Sequence, residues 1–181
     1  MSGSEPRSGV RGLTPFQFRF RLLENGWAAL PIVRHDAREK DAGKKPSIAG
    51  WNDFAEYAAA LPTADDLAGW ESGNHRAPGT GIAIGNEVAI DLDFIRDPIL
   101  ARRAYDITVA TCGETPFVRQ GQAPKTALIY RSAEPIETLR LKATNGSGDG
   151  VDIIGHCAQL VVFGIHPILW SPTGGWALPL R

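Results

Sequence analysis

The sequence predicts an α+β fold, with helices packed on one face of a mixed or antiparallel sheet. Three observations carry that expectation. Short apolar runs of strand length recur through the second half of the chain. Their connections are brief and rich in Gly, Pro and Asn, as hairpins require. Helix-start signals fall mainly in the first half, with one more between strands, so the chain lacks the regular strand–helix alternation of a parallel sheet.

Taken in order, residues 1–12 are small, polar and rich in Gly and Ser, and are expected to form a mobile tail. Thr14-Pro15-Phe16-Gln17 is a capping box, with Thr as N-cap, Pro at the first helical position and Gln at the third. The helix it opens runs from Pro15 to about Asn25 and stops at Gly26. Trp27 to Val33 reads as a strand. Arg34 to Lys45 reads as a charged loop ending in Lys44-Lys45-Pro46, either a solvated connection or a basic loop that meets phosphates. A helix is expected from Asn52 to Ala60, and another from Thr63 to about Glu71, where Asp66 stands three residues after the cap.

Ile82 to Ile84 and Glu87 to Phe94 are strands joined by Gly85-Asn86, a hairpin turn by composition. Asp97-Pro98 caps a helix reaching Cys112-Gly113. Phe117 to Gln120, Thr126 to Arg131, Glu137 to Lys142, Val151 to Ile154 and Gln159 to Phe163 complete the strands, with a flexible polar loop at Asn145 to Gly150. No internal repeat is visible.

Composition bounds the function. At 181 residues with 43% hydrophobic content the chain forms one domain with a real core. No apolar run approaches the roughly 20 residues of a membrane span, and the N-terminus has no signal-peptide core. Only Cys112 and Cys157 are present, too few for a disulfide framework or a cysteine-based zinc site. These features predict a cytoplasmic protein that binds no zinc and no membrane. A net charge of −1 gives no global field for nucleic acid, so such contacts must come from local basic clusters.

The stretch Val88-Ala89-Ile90-Asp91-Leu92-Asp93-Phe94 organises the second half. Its period-two alternation puts Asp91 and Asp93 on one strand face and Ile90, Leu92 and Phe94 on the other. Two carboxylates roughly 7 Å apart at Cα repel unless a positive charge sits between them, and Asp oxygens suit Mg²⁺ or Mn²⁺. The pattern on its own also fits an exposed face with two solvated acids. Asp152, inside the apolar Gly150-Val151-Asp152-Ile153-Ile154, is a third acid that is costly to bury unpaired. Between these acids, Arg119, Lys125 and Arg131 lie on two strands joined by a Gly/Pro turn, as cations that either balance the acids or meet a triphosphate. His166 follows an apolar strand in Gly164-Ile165-His166-Pro167.

In this order the motifs resemble the archaeo-eukaryotic primase superfamily, in its bifunctional primase–polymerase (Prim-Pol) branch common on plasmids and phages. The resemblance spans about Pro15 to Trp176. It includes Gly26-Trp27-Ala28-Ala29-Leu30-Pro31, Gly43-Lys44-Lys45-Pro46, Gly50-Trp51 and Gly79-Thr80-Gly81-Ile82-Ala83-Ile84-Gly85. Ala89-Ile90-Asp91-Leu92-Asp93 matches the family's first catalytic motif and Val151-Asp152 its third. The second motif usually carries a His that meets the nucleotide's phosphates. Here that position resembles Lys125, a fixed point charge without a switchable proton.

The resemblance implies an αβ subdomain over about 13–80 and an RRM-like catalytic subdomain over about 81–167, within a primase–polymerase domain of 13–181. It implies template-directed nucleotidyl transfer, with Asp91, Asp93 and Asp152 holding two Mg²⁺ or Mn²⁺ ions. Lys125, Arg119 and His166 would meet the nucleotide, and Lys44 and Lys45 the template. Single-stranded DNA and nucleoside triphosphates are the implied partners, together with a replicative helicase as a separate chain or further domain. The same acids could instead serve a metal-dependent nuclease or phosphodiesterase, or the domain could be a non-catalytic nucleic-acid-binding accessory.

Overall fold

The computed structural model describes residues 13–56, 61–73, 79–143, 148–165 and 175–176. The expected tail at 1–12, the end of the second helix at 57–60, the first half of the polar loop at 145–147, and His166 lie outside the described residues.

The chain builds α1 (Pro15–Glu24), β1 (Ala29–Pro31), α2 (Asp53–Glu56), α3 (Ala64–Ser72), β2 (Thr80–Ile84), β3 (Glu87–Asp93), α4 (Pro98–Cys112), β4 (Val118–Gln120), β5 (Thr126–Arg131), β6 (Leu139–Lys142), β7 (Gly150–Ile154), β8 (Ala158–Ile165) and β9 (Gly175–Trp176). The fold is α+β. Its strands form two antiparallel sheets, one ordered β1-β2-β8-β9 and the other β4-β5-β3-β7-β6.

Local chemistry accounts for the helix starts. The Gln17 backbone N–H donates to Thr14 Oγ1 and the Thr14 N–H to Gln17 Oε1, so two orphan donors of α1 are satisfied reciprocally. Thr63 and Asp66 make the same arrangement at α3. At α4 the Asp97 side chain accepts from the Ile99 and Leu100 N–H groups, and Pro98 needs no partner there. Pro31 sits on β1, the edge of its sheet, where a missing ladder donor is tolerated.

The hairpin expected at Gly85-Asn86 does not form. β2 pairs with β1 and β8, whereas β3 pairs with β5 and β7, so the link steps from one sheet to the other. The primed turns of two-residue hairpins need positive φ at one or both central residues. Neither Gly85 nor Asn86 has it. Both edges of β2 and of β3 are also taken by partners far away in sequence, which composition at the link does not reveal.

Three apolar layers follow from strand alternation. Leu92, Leu128, Ile90 and Val151 pack under α4 through Ala101, Ala104, Tyr105 and Val109. On the other face of the same sheet, Ala89, Ile129, Phe117 and Ile154 meet Ile82, Ile84, Leu160 and Val162 of the second sheet, with Phe18 and Leu22 of α1. The outer side of that second sheet, at Leu30 and Ala83, is covered by Ile48, Trp51 and Phe54. Arg19 is buried beside this core, where its guanidinium donates to the Gly79 carbonyl at 2.9 Å. Burial brings its pKa down to about 10, which leaves it charged at neutral pH.

Phe18 is 2% exposed and lies 5.3 Å from the Phe163 ring, so it carries much of the contact between α1 and β8. Phe18→Ala is expected to cost about 3–5 kcal/mol in denaturant unfolding. A loss below about 1 kcal/mol would mean that the site collapses freely around the gap.

Candidate active site

The site is assembled by register. Arg119 of β4 stands opposite Ala127 of β5, Ala127 opposite Asp91 of β3, Asp91 opposite Asp152 of β7, and Asp152 opposite Arg140 of β6. One row across the sheet therefore reads cation, methyl, acid, acid, cation. The adjacent row on the same face places Asp93 opposite Gly150 and Gly150 opposite Lys142. Directly opposed residues share a face, as do residues two apart, so Asp91, Asp93 and Asp152 project together. They do so on the side that meets the second sheet. Along β3 that face turns from fully buried Ala89 to partly exposed Asp91 and Asp93, so the acids lie where the interface between sheets opens.

Each acid has its own cation. Arg119 Nη2 donates to Asp91 Oδ1 at 2.7 Å, and Arg119 Nη1 donates to the Val161 carbonyl of β8 at 3.1 Å. Ala127 makes this possible, because a methyl group between them lets the guanidinium pass over β5 to reach Asp91. Lys125 Nζ pairs with Asp93 Oδ1. Lys142 Nζ stands 3.4 Å from Asp152 Oδ1 and Arg140 Nε 4.0 Å from Asp152 Oδ2. The Lys142 separation is that of an ion pair without hydrogen-bond geometry, since Asp152 Oδ1 is buried and accepts no hydrogen bond. With side chains so placed, no three His, Cys, Asp or Glu converge on one point among the described residues.

Burial raises the Asp91 carboxyl above its ordinary value of 3.8. Arg119 opposes that rise, and the charges of Asp93 and Asp152 add to it.

Other sequence candidates fall elsewhere. Arg131, grouped with Arg119 and Lys125 from its strand, lies at the far end of β5 opposite Glu87. Its guanidinium stacks 4.7 Å from the Trp27 ring centre and donates to the Asn25 carbonyl at the end of α1. It is a helix-end cation, favoured there by the helix dipole, and does not belong to the acid cluster. Lys45 pairs with Glu39 at 2.6 Å within its own loop, and the Lys44 carbonyl accepts from Gln159 Nε2. Gln159 alternates with the core residue Leu160, so this loop docks on the outer face of the second sheet, away from the acids.

Three contributors escaped sequence reading. Arg140 and Lys142 reach Asp152 from β6; their alternation with Leu139 and Leu141 was the available signal. Asp149, within the stretch read as a flexible loop, is 5% exposed and accepts from the Ile95 N–H at 3.1 Å, tying the end of β7 to that of β3. A groove of about 700 Å³ between α4 and β4 is lined by Leu92, Tyr105, Val118, Gln120 and Thr126, on the face opposite the acids.

The profile of a family described as bifunctional DNA primase/polymerase, N-terminal (Prim-Pol) matches residues 20–176. The chain belongs to that family, whose membership points to DNA primase/polymerase activity of the nucleotidyltransferase type, with DNA and nucleotides as substrates. No curated protein matches the chain at a significant level. Among the described residues no helix is long and apolar enough to cross a membrane.

Arg119 is the group holding the Asp91 carboxyl down. Arg119→Gln should therefore raise the Asp91 titration midpoint, followed by carboxyl-carbon NMR. A raised native pKa means the folded protein binds its proton more tightly than the unfolded chain. The stability from that proton is complete below 3.8 and is lost as pH rises through the native pKa. In the variant this loss should move to higher pH; an unmoved midpoint would show that the pair does not govern Asp91.

Proposed function

We propose that this domain carries out template-directed nucleotidyl transfer, joining a nucleotide to a 3′-hydroxyl with release of pyrophosphate. The observation that supports it most is the opposition of Asp91 and Asp152 on adjacent strands, with Asp93 two residues on along the same face. Three carboxylates offer only hard oxygen donors, which suits Mg²⁺ or Mn²⁺ and disfavours softer metals. The buried Asp152 Oδ1, which accepts no hydrogen bond, is a donor atom with capacity to spare. Asp91, Asp93 and Asp152 would hold two such ions. When bound, they supply the positive charge that eases deprotonation of the attacking hydroxyl and stabilises the departing pyrophosphate.

The chain's own cations divide the remaining work. Lys125 lies beside Asp93 and is a quarter exposed, so it can turn from the carboxylate to a triphosphate. Arg119 is buried and bound to both Asp91 and Val161, so its part is to orient Asp91 and favour its ionised form rather than to meet phosphate.

Extension of a labelled primer on a DNA template, with deoxy- and ribonucleotides and with Mg²⁺ or Mn²⁺, tests the reading. The parent should lengthen the primer. Shortening of the primer would favour a nuclease, and template binding without either change an accessory role.

Two variants sharpen it. Calorimetry should show Mn²⁺ binding by the parent, and Asp91→Asn combined with Asp93→Asn should abolish both that binding and extension; parent-like Mn²⁺ affinity in the variant would overturn the metal assignment. Lys125→Ala should slow single-turnover extension by about 10²–10³, the usual effect of losing one charge-stabilising donor. Circular dichroism should show the fold retained, and a parent-like rate would remove Lys125 from the site.

A further inference from the structure

The cations around the acids fall into two groups. Arg119 and Lys125, with side chains 6% and 25% exposed, are engaged with Asp91 and Asp93. Arg140 and Lys142 are 74% and 50% exposed and approach Asp152 only to 4.0 and 3.4 Å. Ion pairs that long and that exposed contribute little to stability, so the fold alone does not account for them.

Their placement is specific. β6 is the outer strand of its sheet, paired to β7 along one edge. Strand alternation puts Arg140 and Lys142 on the face of the acids and Leu139 and Leu141 on the other. The two cations therefore stand roughly 7 Å apart along an edge that no other described strand pairs with, just outside Asp152. Gly150 keeps this edge close: a Cβ there would overlap the Leu141 carbonyl and crowd the Lys142 side chain, so β6 lies tight against the strand that bears Asp152.

We propose that this edge binds the phosphodiester backbone of single-stranded nucleic acid and delivers the strand to the acids. Two exposed, loosely held cations spaced along an edge suit an extended polyanion. A compact triphosphate is better met by Lys125, on the inner side of the cluster. Arg140 and Lys142 also offset the repulsion between Asp152 and an approaching phosphate. Contacts of this kind position the strand without reading its sequence. The direction of delivery rests on the nucleotidyl-transfer reading, whereas strand binding is measurable without catalysis.

Fluorescence anisotropy of a labelled oligothymidylate, titrated with the full chain across a salt series, reads the surface directly. In the double variant Arg140→Gln, Lys142→Gln, the slope of log affinity against log salt should fall by about 1.4, from two contacts at roughly 0.7 each on a single strand. The charge-preserving pair Arg140→Lys, Lys142→Arg should keep the parent slope, which separates charge from folding. Calorimetry with a deoxynucleoside triphosphate and Mg²⁺ provides the second arm; because the two cations stand beside Asp152 its affinity can shift in the Gln pair, but by less than the oligothymidylate affinity falls, and it should stay at the parent value in the charge-preserving pair. An unchanged slope in the Gln pair, or a loss confined to triphosphate, overturns the proposal. If the slope falls but the parent extends no primer, the edge stands and the transfer reading fails. If the parent extends primers and the slope does not fall, only the edge assignment fails.

Discussion

Two carboxylates facing each other across adjacent strands cannot both stay ionised in a half-buried sheet without compensating charge. That constraint shapes the whole acid-bearing face. Asp91 is already pushed toward its protonated form by burial, and the neighbouring acids add to the push. Arg119 offsets it, and the reach of Arg119 depends on Ala127 being no larger than a methyl group. A bulky residue at 127 would satisfy the apolar pattern of β5 equally well while separating the cation from its acid.

The same guanidinium also joins the two sheets, since its other amino group donates to the Val161 carbonyl. The acid cluster thus lies at the boundary of the apolar interface between sheets. Behind it, Ala89, Ile129 and Ile154 pack against the second sheet; in front of it the sheets part. A rigid, apolar base with charged residues at its margin is what a site needs if carboxylates are to hold position while substrates come and go. Membership of the primase/polymerase family points to DNA and nucleotides as substrates.

The cations illustrate how type and location divide labour. Arg131, on the same strand as Ala127, serves the end of α1 and the Trp27 ring, because it lies at the opposite end of β5. Lys44 and Lys45 occupy a loop on the far side of the second sheet, where Lys45 is held by Glu39. Proximity in sequence to an acid or a phosphate-like motif predicts none of this. What matters is the row in which a residue stands and how deeply it is buried.

Local features were legible in the sequence because they rest on local physics. The capping boxes at Thr14 and Thr63, the Asp97-Pro98 helix start, and the strand phase that sets Asp91 and Asp93 on one face each depend on residues within a turn or two. The order of the motifs along the chain was equally readable, and it carried the family. Three things were decided only by the tertiary structure. The Gly85-Asn86 link joins two sheets instead of forming a hairpin, because both edges of β2 and β3 are claimed by distant strands. Asp152 faces Asp91, and Arg119 reaches Asp91 over Ala127, because β3 pairs with β5 and β7, strands tens of residues away from it in sequence. Arg140 and Lys142 join the cluster through β7 in the same way. Periodicity determines which way a side chain points from its own strand. Which residue it then faces is set by strand pairing, and the free energy of pairing belongs to the whole sheet rather than to any one segment.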